Sequence, residues 1–109
     1  MNQTNRLSNP MSYIYLVSFV RIADDDQPIS ASPITLQTIQ RDELEQIIDR
    51  IRKSGIVPEQ DAAELALGLK MFGETLLRHR RTPPFATLFP HFRDFMSQLK
   101  KRVASDEGR

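Results

Sequence analysis

The sequence predicts an α+β fold: a two-stranded antiparallel β-hairpin followed by three α-helices, the middle helix long and central. Three observations carry this expectation. Tyr13–Ile22 is rich in β-branched and aromatic residues and holds no Gly or Pro, the mark of a strand. Leu44, Ile47, Ile48 and Ile51 recur at i, i+3, i+4 and i+7, the mark of one buried helical stripe. The same period continues on both sides of Thr82-Pro83-Pro84, which cannot continue a helix.

The opening strand is apolar on both faces, with Tyr13, Tyr15, Val17 and Phe19 on one and Ile14, Leu16, Val20 and Ile22 on the other. A strand with one wet face alternates apolar with polar residues, so both sides of this one are expected to be covered. The acidic run Asp24-Asp25-Asp26, with Pro28 and Pro33, makes Ala23–Ser32 a loop. Pro33–Ile39 reads as the return strand, with Ile34, Leu36 and Thr38 on one face. The first helix runs from Asp42 to Ser54. Asp42 and Glu45 are spaced as a capping box, and Gly55 supplies a left-handed stop.

The second helix is expected from Pro58 to Arg80, about 35 Å at 1.5 Å per residue. Its inward stripe is Ala62, Leu65, Ala66, Leu69, Phe72, Gly73 and Leu76. Leu67, Met71 and Leu77 widen the apolar surface, as a helix contacted from several sides requires. In Phe85–Arg102, Pro90 predicts a short turn at Phe85–Leu88 and a fresh helix start near Pro90. Phe85, Leu88, Phe89, Phe92, Phe95, Met96, Leu99 and Val103 mark the buried side of this region.

The chain of 109 residues fits one domain, 13–103, between a disordered polar tail at 1–12 and a frayed tail at 104–109. Met11 is an alternative start. With 39% hydrophobic and 27% charged residues, the composition is that of an ordinary soluble globular protein. A net charge of +1 gives no global field toward nucleic acid or anionic lipid. The chain has no cysteine, which excludes disulfides, zinc–thiolate sites, iron–sulfur clusters and thiol catalysis, and fits a reducing cytoplasm. No leader sequence is expected, and the longest apolar run falls well short of the ~20 residues of a membrane helix.

Three basic clusters are present: Arg50–Lys53, Arg78–Arg81 and Lys100–Arg102. Each falls at the C-terminal end of a predicted helix. Asp42, Glu43, Glu45, Glu59, Asp61 and Glu64 occupy the opposite ends. The helix macrodipole favours this layout by ~0.3–1 kcal/mol per charge, so helix stabilisation accounts for it. His79 and His91 are two histidines without partners at zinc-ligand spacing. The Asp24–Asp26 triplet lacks the alternate spacing, glycine turn and distal glutamate of a calcium loop. No nucleophile elbow, P-loop or dinucleotide fingerprint occurs. Neither a catalytic residue nor a metal site is readable, and no cofactor is expected.

The segments AAELALGLKMFGETLL at 62–77 and PPFATLFPHFRDFMSQLKK at 83–101 give the chain a specific resemblance. The pattern GLKxFGE at 68–74, the Pro84-Phe85 step and FMxxLK at 95–100 carry it. In these segments the chain resembles a family of short bacterial proteins classed as a domain of unknown function, over about 13–101. The resemblance implies a small α+β domain and assigns no activity, cofactor or site.

Three functional readings remain open. The first is a small non-catalytic cytoplasmic interaction or accessory module, homodimeric because a lone two-stranded sheet is marginal and leaves two open edges. A partner would dock on the charged row Lys70, Glu74 and Arg78 beside the glycine-containing helix face. The second is a nucleic-acid-associated regulator using Arg78, Arg80, Arg81, Lys100, Lys101 and Arg102. The third is a small-ligand-binding domain with Tyr13, Tyr15, Lys70, Glu74 and His91 near its pocket.

Overall fold

A computed structural model describes residues 12–23, 25, 27 and 33–107. Residues 1–11 of the expected tail at 1–12, with the alternative start at Met11, and Asp24 and Asp26 of the acidic loop lie outside the described residues. The chain forms two compact units, residues 1–42 and 43–109.

The first unit is an antiparallel hairpin of β1, Tyr13–Phe19, and β2, Ile34–Gln40. Tyr13 pairs with Gln40, Leu16 with Gln37 and Phe19 with Ile34. β1 thus ends at Phe19, short of the expected Ile22. Local turn bonds begin soon after: the Ala23 N–H donates to the Gln27 carbonyl at 2.7 Å, and the Gln27 N–H donates to Asp25 Oδ1 at 3.3 Å. Such Asp-centred turns compete with the ladder for backbone groups. β2 begins directly after Pro33, which has no N–H to give a ladder.

The second unit holds three helices: α1, Leu44–Ser54; α2, Ala62–Arg78; and α3, Phe85–Glu107. α1 starts two positions beyond the expected Asp42, with Glu43 at the N-cap and no cap bond from the Glu43 side chain. Glu43 Oε1 instead accepts from the Gln46 side-chain amide at 3.2 Å. The acids still stand at the positive end of the helix dipole. Gly55 ends α1 with φ 72°, the left-handed stop expected of it. Ser54 Oγ reinforces that end, donating to the Ile51 carbonyl at 2.8 Å and accepting from the Ile56 N–H at 3.2 Å.

Pro58 precedes a 3-10 turn, Glu59–Asp61, which leads into α2. Among the described residues five apolar ones are buried: Ala62, Ala66 and Leu76 of α2, and Leu44 and Ile51 of α1. Ile51, Ala62 and Ala66 form a cluster against which Ile47, Ile48, Leu65 and Val103 pack. The two alanines let Ile51 approach the α2 backbone closely, so small side chains carry a central contact.

α3 corrects the expected break. It runs through Pro90 without interruption to Glu107. Pro90 lies only one turn from the start, and the carbonyl deprived of its bond belongs to Ala86, which is exposed to water. The half-buried stripe Phe85, Phe89, Phe92, Met96, Leu99 and Val103 continues across the proline and holds the helix in one piece. Phe72, Leu88 and Phe95 depart from expectation in the other direction: all three are exposed.

The glycines of α2 separate two effects. A Cβ at Gly68 meets nothing within 4 Å, whereas one at Gly73 would stand 3.3 Å from Phe92 Cε2. Gly68→Ala is expected to stabilise the fold by about 0.5–1 kcal/mol through helix propensity. Gly73→Ala is expected to destabilise it by about 1 kcal/mol, because overpacking against the Phe92 ring outweighs the same gain. Urea denaturation of both variants checks this; equal stabilisation would show that the ring gives way freely.

Candidate functional site

The surface that stands out is the hairpin. On one face lie Tyr13, Tyr15, Val17 and Phe19 with their partners Gln40, Thr38, Leu36 and Ile34. Exposure on this face rises along the hairpin, from fully buried Gln40 to Phe19 at 52% and Ile34 at 68%. The opposite face carries Ile14, Leu16 and Ser18 with Ile39, Gln37 and Thr35. There Leu16 is 74% exposed and Ile39 57%. The shielding expected for both flanks of β1 is therefore absent at these positions within the single chain. Ser18 Oγ and Thr35 Oγ1 are 3.2 Å apart, a polar cross-strand pair beside this apolar row. Neither strand contains a charged residue.

Gln40 is a buried polar residue that the sequence pattern did not single out. Its Nε2 donates to Thr38 Oγ1 at 2.9 Å, while its Oε1 has no hydrogen-bond partner. The signal was the alternation Ile34, Leu36, Thr38, which places the next residue of that face at Gln40.

A smaller apolar exposure lies in the second unit. The Phe72 ring meets the edge of Phe92 at 5.6 Å and 79°, and Leu88 and Phe95 lie a heptad apart on the outer side of α3. α3 carries more apolar residues than one stripe can turn inward, which is why these were not separable from its core by period alone.

The candidate charged row sits on α2. Lys70 and Glu74 are half-buried and Arg78 is exposed. Arg78 Nη2 donates to Thr75 Oγ1 at 3.3 Å, and Thr75 Oγ1 donates to the Met71 carbonyl at 3.3 Å. Arg80 Nη1 donates to the Leu77 carbonyl at 2.7 Å, closing the C-terminal end of α2.

Of the six residues of the nucleic-acid reading, Arg78, Arg80 and Arg81 flank His79, whose ring lies 5.7 Å from that of Phe85 at the start of α3. Lys100, Lys101 and Arg102 lie roughly 24 Å further along the same helix at about 1.5 Å per residue, before its end at Glu107. Arg50, Arg52 and Lys53 of α1 lie nearer to Lys100–Arg102, since Ile51 and Val103 belong to one packed cluster. Lys53 pairs with Asp49 at 2.9 Å. The residues of the small-ligand reading are divided, with Tyr13 and Tyr15 in the first unit and Lys70, Glu74 and His91 in the second. Among the described residues no three His, Asp or Glu gather as a metal site, and no helix is long and apolar enough to cross a membrane.

The family model described as "Domain of Unknown Function with solved-structure structure (DUF3861)" matches residues 13–101. The chain belongs to the DUF3861 family. That match spans both units and the segments that carry the resemblance. A crystal structure of a protein of unknown function from Pectobacterium atrosepticum is similar, with 24% identity and a TM-score of 0.71 over 84% of this chain and 99% of that one. It shares the fold. No curated protein matches the chain.

Two outcomes are expected for polar groups of this DUF3861 domain. Gln40→Met removes the orphaned acceptor, so it should stabilise the protein by about 1 kcal/mol despite losing the bond to Thr38. A loss of that size in thermal unfolding would mean that Oε1 has a donor. Arg80→Ala should cost about 0.5–1 kcal/mol, the worth of its bond to the helix-end carbonyl. Unchanged stability would reassign Arg80 to a role other than capping.

Proposed function

We propose that the chain is a small, non-catalytic, cytoplasmic interaction module of bacterial origin that works as a homodimer joined through its β-hairpin. One observation carries this: a two-stranded, uncharged sheet with large apolar side chains exposed on both faces. A lone pair of strands is marginal in water, and exposed apolar clusters of this kind mark interaction surfaces. Taking about 200 Å² per large residue, the exposed fractions of Leu16, Phe19, Val20, Ile22, Ile34, Leu36 and Ile39 amount to roughly 800 Å².

A second copy is the favoured occupant. The strands offer no charge by which a different partner could be selected electrostatically. Every copy presents the same apolar patch, as a self-complementary two-fold contact requires. The Pectobacterium neighbour supports a bacterial setting, and the lack of cysteine supports a reducing one.

Sedimentation at micromolar concentration should show a species of twice the 12.6 kDa chain mass. Leu16→Lys, at an exposed position, should shift it to the monomer while leaving helical circular dichroism intact. A wild-type chain that sediments as a monomer overturns the proposal.

A further inference from the structure

We draw no further inference here: the strongest candidate, the apolar surface that Phe72 of α2 and Leu88 and Phe95 of α3 expose on the helical unit, carries nothing because nothing in the structure shows what covers it.

Discussion

Seven residue pairs join β1 to β2, and among the described residues no third strand supports them. Everything distinctive about this protein follows from that limit. Backbone bonds along a two-stranded ladder exchange with water for a small net gain, so the ladder persists only if side chains on its faces are removed from water. Here the side chains are suited to burial, since both strands are uncharged and each face holds branched or aromatic residues. Yet on the face of Tyr13 and Phe19 exposure climbs from Gln40 toward Ile34, and on the other face Leu16 and Ile39 are exposed.

The helical unit solves the same problem differently. Its contacts are built from small residues, with Ala62 and Ala66 admitting Ile51, and with Gly73 admitting the Phe92 ring. Large side chains then dock on this tight centre, Val103 of α3 among them. Because the packing stripe of α3 continues past Pro90, the missing hydrogen bond is tolerated rather than decisive. Packing along a whole helix outweighs one local interruption near its end.

The polar groups point toward scaffolding. Arg80 holds a helix-end carbonyl, Ser54 serves two backbone groups, and Arg78 reaches Thr75 on its own helix. Arg52 and Lys53 stand in the last turn of α1 and Arg78 in that of α2, where the helix dipole favours them, whereas Lys100–Arg102 lie short of the end of α3, whose last turn holds no basic residue.

Local signals alone determined much of this. The β-rich run at Tyr13, the i, i+3, i+4, i+7 stripe of α1, the left-handed Gly55 and the double proline before α3 placed the elements, because each depends on backbone preferences of a few adjacent residues. Tertiary structure decided the rest. It shortened β1, moved the start of α1 past Asp42, carried α3 through Pro90, buried Gln40, and left Leu16, Phe72 and Phe95 in water. These outcomes turn on which groups compete for the same space, and competition between segments distant in sequence leaves no trace in the period of any one of them.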